Sequence, residues 1–149
     1  MTYHYTDCGL DNVYLENGYT RHETPYGEGM AFDDIDGLHR AIGTALVNSP
    51  RPLSGAELRF LRLEMGLSQR ELGAALGMEE QAVRRWEKAR SSPFPGPADR
   101  LVRILYREFV DEHGPVRDLV DRLSAWNHET GAVIITLRED PASGWSLAA

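Results

Sequence analysis

The stretch LSQRELGAALGMEEQAVRRWEK, residues 67–88, decides the fold of this chain. Ser68 is followed three residues later by Glu71, so each side chain can satisfy a free amide at the start of a helix. One apolar stripe follows at helical spacing, formed by Leu72, Ala75 and Leu76. Because glycine often follows the last residue of a helix, the pattern predicts a short helix that begins at Ser68 and ends at Gly77.

A second short helix is predicted directly after this glycine. Val83 and Trp86 recur at three-residue spacing, so they should pack inward while neighbouring polar residues face outward. The outward residues are the candidates for contacts with DNA base edges, and they are Glu80, Gln81, Arg84 and Arg85. Two short helices, a glycine turn and arginines on the second helix are typical of a helix-turn-helix that enters the major groove.

Helices on both sides complete a helical domain over residues 51–110. Ser54 and Glu57 form a second capping box, which opens a helix with an apolar face. That face is made of Leu58, Leu61 and Met65, with Phe60 and Leu63 beside it. Pro97 suits the first position of a later helix, because a helix start leaves that amide unpaired. The later helix carries Leu101, Ile104, Leu105 and Phe109.

Residues from about Leu53 to Phe109 resemble the XRE family of helix-turn-helix regulators, which includes phage repressors and many antitoxins. The matching positions are Leu67, Ser68, Gln69, Glu71, Leu72, Leu76, Gly77, Val83, Trp86 and Glu87. The resemblance implies a lambda-repressor-like helical domain that binds double-stranded DNA. It also implies that Gln69 contacts a phosphate, while Gln81 and Arg85 suit adenine and guanine. Further phosphate candidates are Arg70, Lys88 and Arg90.

Three positions depart from the family's pattern. Glu79 replaces the short polar cap of the second helix, Gly73 replaces a common alanine, and Ala89 stands where glycine usually ends that helix. Glycine in a helix costs about 1 kcal/mol relative to alanine, and a left-handed Ala89 would cost roughly 1–2 kcal/mol. Glu79 and Glu80 suit the helix dipole but repel phosphate, and Glu80 can instead accept a hydrogen bond from a cytosine amine.

The charge is distributed unevenly along the chain. The net charge of −7 would by itself argue against nucleic acid as a partner. Residues 51–107, however, carry eleven basic and seven acidic side chains, whereas residues 1–50 carry two and eight and residues 108–149 carry three and eight. A basic middle between acidic flanks favours DNA binding by the middle segment, because phosphate contacts supply most non-specific affinity.

Residues 1–50 predict a separate N-terminal domain with a small sheet and one helix. Alternation over Asn12–Glu16, the Asn17-Gly18 turn signal and the run Tyr19–Thr24 together predict a β-hairpin. The segment Phe32–Val47 predicts a helix, with apolar residues three and four apart. These residues are Ile35, Leu38, Ile42 and Leu46.

A hairpin, a helix and an XRE domain resemble the layout of MqsA-type antitoxins, whose zinc-bearing N-terminal domain holds the toxin while the helix-turn-helix binds the operator. That zinc site uses paired cysteines, and this chain has Cys8 alone, so its ligands cannot be carried over. His4, Cys8 and His22 could converge as a remnant zinc site. The favoured interpretation is that they are packed or surface residues, and no cofactor is predicted.

Residues 111–149 predict a helix from Val116 to Trp126, a strand over Ala132–Leu137 and a return through Gly144–Leu147. The apolar strand must be buried, either within this chain or by edge pairing with a second copy. Both alternatives stay open. Since a lone module seldom makes enough contacts for a specific operator, we expect a homodimer.

The chain as a whole predicts an α+β protein of the cytoplasm that is neither an enzyme nor a membrane protein. No stretch reaches membrane-spanning length, nothing marks export, and no nucleotide loop or catalytic triad is present. Two functions stay open. One is a sequence-specific regulator, expected to be an autoregulatory repressor that binds an inverted repeat. The other is an antitoxin whose acidic N-terminal half binds a toxin, with DNA binding as its regulatory arm.

Overall fold

The computed structural model describes residues 2–111, 114–124 and 134–148. Its elements in chain order are β1 Tyr3–His4, β2 Tyr14–Leu15, β3 Tyr19–Thr24, β4 Gly27–Phe32, α1 Ile35–Asn48, α2 Gly55–Glu64, α3 Gln69–Leu76, α4 Glu80–Lys88, α5 Gly96–Val110, α6 Pro115–Ser124, β5 Leu137–Asp140 and β6 Gly144–Leu147. The described part therefore combines helices with small antiparallel sheets, as predicted from the sequence.

The N-terminal sheets differ from the predicted hairpin, which is wrong in its pairing. β2 pairs with β1, and β3 pairs with β4 through a turn at Pro25-Tyr26, so Asn17-Gly18 only connects the two sheets. The reason is non-local packing: the ring of Tyr3 lies 5.1 Å from that of Tyr19 and 5.8 Å from that of Phe32. These aromatic contacts outweigh a local turn preference.

Helix α1 begins three residues later than predicted. Asp34 caps it, because its carboxylate accepts a hydrogen bond from the Gly37 amide at 3.2 Å. Phe32, predicted as the first helical residue, instead ends β4. Ile42 and Leu46 are buried as predicted, and α1 packs against α2 and α5.

The predicted caps of the helical domain are confirmed. Both boxes are closed in both directions, with Ser54 and Glu57 at the start of α2 and Ser68 and Glu71 at the start of α3. The core of the domain includes side chains with no exposed surface from four helices. They are Leu58, Leu61, Leu72, Val83, Val102 and Leu105.

Not all of the apolar residues predicted on α5 are buried. Ile104 is 47% exposed, whereas Val102 and Tyr106 are buried. Ala98, Val102 and Tyr106 recur every four residues, and this row faces the other helices. Pro97 is the second residue of α5, after Gly96. On α2, Leu63 is likewise exposed.

Arg103 stabilises the connection between α1 and α2. Arg103 on α5 donates hydrogen bonds to the backbone carbonyls of Val47, Ser49 and Arg51 at 3.1, 2.5 and 2.5 Å. Asp99 binds the Arg103 guanidinium and also accepts the amide of Leu53 at 2.8 Å. Helix α5 therefore fixes the N-terminal segment to the helical domain.

The C-terminal strand differs from its prediction. Residues 134–136 are not in a strand, and β5 begins at Leu137, while Trp126 and residues 132–133 lie outside the described residues. A turn sets this register: the Ser143 amide donates to the Asp140 carbonyl, and Gly144 has a φ of 80°. The predicted return through Gly144–Leu147 forms β6. None of the described helices has the length and apolar character needed to cross a membrane.

Candidate nucleic-acid interface

The start of α3 is built to present backbone amides. The Ser68 hydroxyl accepts the Glu71 amide at 3.0 Å, and the Glu71 carboxylate accepts the Ser68 amide at 3.0 Å. Hydrogen bonding to the Ser68 backbone amide, and after it to the Ser68 side chain, holds the pKa of the Glu71 carboxyl below its usual value. The amides of Gln69 and Arg70 belong to the same first turn, which has no preceding helical carbonyls to bind. A helix start of this kind suits a phosphate oxygen.

The turn between α3 and α4 depends on two glycines. Gly77 adopts a φ of 69°, a left-handed conformation that other residues adopt at a cost. A Cβ on Gly73 would lie 2.9 Å from the Met78 carbonyl oxygen, so the backbone of the turn passes against α3. The small size of Gly73 therefore lets the backbone of the turn, rather than a neighbouring helix, approach α3 closely.

Helix α4 has one buried and one exposed side. Ala82, Val83 and Glu87 are buried, and Trp86 stacks on Phe94 with ring centroids 5.6 Å apart. Its polar residues Gln81, Arg84, Arg85 and Lys88 are all exposed. The predicted base-contact residues thus share one outward surface, with Glu80 partly buried at its edge.

The ends of α4 carry two of the departures from the family pattern. Among the described residues, Glu79 makes no capping hydrogen bond with its side chain. Ala89 ends the helix with a φ of −82°, so the left-handed strain that alanine would suffer there does not arise. Both departures are therefore accommodated without a left-handed residue.

Two of the candidate base-contact residues, Glu80 and Arg84, form an ion pair on the outward surface. Glu80 accepts a hydrogen bond from the Arg84 guanidinium at 2.9 Å, one helical turn apart. The Arg84 and Glu80 side chains are 59% and 42% exposed, so water screens the pair and it is weak. Arg85 lies beside this pair on the same surface and is the stronger candidate for guanine.

Beneath the outward surface lies a buried ion pair that sequence reasoning missed. Arg62 on α2 binds both carboxylate oxygens of Glu87 on α4, at 2.6 and 2.9 Å. Gln69 on α3 donates to Glu87 at 3.2 Å. The sequence did indicate that Glu87 has a partner. Glu87 falls four residues after Val83 and so lies on the buried side of α4, where a carboxylate requires a partner.

The predicted phosphate residues lie at the start of α3 and at the end of α4. The Gln69 side chain donates one hydrogen bond to Glu87. The side-chain amide of Gln69 has two donor hydrogens, so this bond is compatible with a phosphate contact. Arg70 and Lys88 are exposed. Arg90 donates a hydrogen bond to the Gly9 carbonyl at 2.6 Å, which holds the N-terminal segment beside the end of α4.

The residues of the possible zinc remnant have other partners. A ring nitrogen of His4 lies 2.7 Å from the Asp11 carbonyl oxygen, and the His4 ring stacks on Tyr14. Burial raises the pKa of the Cys8 thiol, which disfavours the thiolate that zinc binds. His22 is exposed on β3. Across the three described ranges, no three or more His, Cys, Asp and Glu side chains form a group that could hold a metal ion.

Comparison with known proteins identifies the central segment. Residues 55–107 match the model of a family described as a helix-turn-helix domain. Neither the curated proteins nor the solved structures include a match. The matched residues contain α2, α3, α4 and most of α5. The chain therefore carries a helix-turn-helix domain, a class that indicates DNA binding.

Proposed function

We propose that this protein is a sequence-specific transcription regulator that inserts α4 into the DNA major groove. The observation that carries this function is the two-sided character of α4. Val83 and Glu87 anchor one side within the domain, while Gln81, Arg85 and Lys88 project from the other. Arginine and glutamine are the side chains that bind guanine and adenine with paired hydrogen bonds.

The phosphate contacts come from the rim of this surface. Gln69 and Arg70, at the capped start of α3, approach the backbone of one DNA strand, and Lys88 and Arg90 approach it from the end of α4. The positive charge of residues 51–107 supplies the attraction. Acidic segments on both sides disfavour DNA contacts elsewhere on the chain.

The finer assignment follows the resemblance to XRE regulators. The domain adopts a lambda-repressor-like arrangement, and a homodimer binds an inverted repeat near its own gene as an autoregulatory repressor. Support comes from the paired capping boxes and from the short turn at Gly77. The protein acts by binding and catalyses no reaction.

The test is a gel shift on the DNA upstream of the gene, beside a scrambled duplex of equal length, at several salt concentrations. We expect selective binding to the upstream DNA that weakens steeply as salt rises, because each phosphate contact releases counterions. Equally weak binding to both duplexes would overturn this function.

A second candidate function is that of an antitoxin with the layout of MqsA-type proteins but without their zinc cysteines. One observation favours it: residues 1–50 are strongly acidic, and the β3–β4 hairpin carries Tyr26, which is 99% exposed, at its tip. An exposed tyrosine in an acidic setting suits a basic protein partner. Co-purification with the product of the adjacent gene would support this function, and a chain that purifies without that product would contradict it.

A further inference from the structure

The C-terminal hairpin has a largely apolar face that no other part of the described chain covers. Leu137 pairs with Leu147 and Glu139 pairs with Trp145, so these four side chains lie on one face. Leu137, Trp145 and Leu147 are 52%, 72% and 73% exposed. A two-stranded hairpin is only marginally stable alone in water, and further strands added at its edge stabilise it.

Among the described residues, no strand pairs with the outer edge of β6 at the two apolar positions, Trp145 and Leu147. The Ala148 amide donates to the Thr136 carbonyl at 2.8 Å, which makes that pair a hydrogen-bonded one. Because such pairs alternate in an antiparallel ladder, Gly144 and Ser146 also direct their backbone groups towards β5. Trp145 and Leu147 consequently direct theirs outward, where another strand can bind.

Charge distinguishes the two edges of the hairpin. Strand β6 has no charged side chain, whereas β5 carries Arg138, Glu139 and Asp140. If two copies paired through β5 about Arg138 or Glu139, like charges would face each other at the centre, which is unfavourable. Pairing of two copies through β6 brings no like charges together.

We propose that a second copy of this chain pairs with β6 in antiparallel fashion, with the two-fold axis at Ser146. In this register Trp145 lies opposite Leu147 of the partner subunit, and the reverse pair forms on the other side of the axis. Both pairs use the outward backbone groups, so four hydrogen bonds form across the dimer. The result is a four-stranded sheet with the order β5-β6-β6-β5, in which the leucine and tryptophan side chains of both copies lie on one face.

In this register the side chains that face each other across the two-fold axis also fit together. An aromatic residue opposite an aliphatic one is a favourable cross-strand pair, and the axis produces it twice. Ser146 meets its own copy at a non-hydrogen-bonded position, where the backbones approach most closely and a small side chain fits. A symmetric dimer of this kind buries the same surface on both copies.

This inference rests on the proposed function, because the two halves of an inverted repeat are bound by two copies of α4. The dimer itself can be measured without DNA. A monomer that binds the operator selectively would overturn the β6 interface and the homodimer, but it would leave intact the sequence-specific binding of DNA by α4. A dimer that binds all DNA equally would overturn the proposed function and leave the β6 interface intact.

Disulfide trapping tests the register directly. In the full chain with Cys8→Ser, the variant Ser146→Cys places two thiols across the axis at a Cα separation of about 4.5 Å, which a disulfide can span. We expect oxidation to convert it to a covalent dimer. The matched control is Ser143→Cys, in the exposed turn and away from the axis, which should stay monomeric under the same oxidation. No covalent dimer at position 146, or equal trapping at both positions, would overturn the register.

Sedimentation of uncrosslinked protein tests the interface. We expect a dimer, and we expect Leu147→Asp to raise its dissociation constant by at least about tenfold, because the change places two charges in the apolar face. Leu63→Asp is the control, since Leu63 is an exposed leucine on α2. Circular dichroism shows whether each variant keeps its helices. A wild-type monomer, or an unchanged dissociation constant for folded Leu147→Asp, would contradict the interface.

Discussion

Arg62 donates two hydrogen bonds to the carboxylate of Glu87, from Nε at 2.6 Å and from Nη2 at 2.9 Å, and both side chains are buried. The pair joins α2 to the buried side of α4. Arg62 also donates to the Leu67 carbonyl at 2.9 Å, at the entry to α3. A single ion pair therefore ties together the three helices that set the orientation of the proposed recognition surface.

Removal of one partner from this pair should strongly destabilise the domain. We expect Arg62→Met or Glu87→Leu alone to lower the free energy of unfolding by about 3–5 kcal/mol, because either change leaves a buried charge unpaired. The double variant should lose much less than the sum of the two. Urea denaturation of all four proteins measures the coupling.

An exposed ion pair provides the control for that cycle. Arg21 and Glu28 form a cross-strand pair at 3.0 Å, with more than half of each side chain exposed. Glu28→Gln should change the free energy of unfolding by less than about 1 kcal/mol. Equal losses from Glu28→Gln and Glu87→Leu would contradict the importance of the buried pair.

Gly73 should not tolerate alanine, although alanine is the better helix former. A Cβ would lie 2.9 Å from the Met78 carbonyl oxygen and 3.3 Å from the Glu79 carbonyl carbon, which are backbone atoms of the turn. We expect a steric cost of about 1–3 kcal/mol to exceed the gain of about 1 kcal/mol in helix propensity. Thermal unfolding of Gly73→Ala should therefore occur at a lower temperature than that of the wild type.

Gly96→Ala is the matched control for this change. Gly96 opens α5, and a Cβ there meets no atom within 4 Å among the described residues. Alanine should leave the stability unchanged or raise it slightly. A Gly73→Ala variant as stable as Gly96→Ala would show that the turn can move away from α3.

Alkaline pH should destabilise the packing of α5 against α1. Tyr106 is buried with its hydroxyl against Gly43, and burial raises its pKa from 10 to about 12. The folded state favours the neutral phenol, so this contribution to stability is complete below pH 10 and falls as the pH rises towards about 12. Urea denaturation across this range should show a smaller loss for Tyr106→Phe than for the wild type.

Tyr26→Phe serves as the comparison, because the Tyr26 side chain is 99% exposed. It should retain the wild-type dependence on pH. If Tyr106→Phe also retained that dependence, ionisation of other groups would account for the alkaline loss.

Local patterns predicted the helical domain well. Ser54 with Glu57, and Ser68 with Glu71, act within one helical turn, so the sequence alone contains both partners of each cap. Gly77 likewise needs no distant partner to end α3. The positions of the candidate DNA-binding residues on α4 follow from helical periodicity.

Distant contacts account for what the sequence did not predict. The strand pairing of the N-terminal segment depends on Tyr3, Tyr19 and Phe32, whose meeting is a tertiary event. The partner of Glu87 lies 25 positions earlier in the chain, so the spacing within α4 shows only that a partner is needed. The buried side of α5 also depends on the helices that surround it, so the sequence alone did not show that Ile104 is exposed.

The central claim, that α4 reads base pairs, is tested most directly by Arg85→Ala and Lys88→Ala, with affinities measured on the operator and on a scrambled duplex. We predict that Arg85→Ala lowers operator affinity by about 1–3 kcal/mol and affects the scrambled duplex much less. Lys88→Ala should weaken both similarly and reduce the salt dependence. Operator affinity of Arg85→Ala within about threefold of the wild type would contradict the claim, since a good base contact contributes more than that.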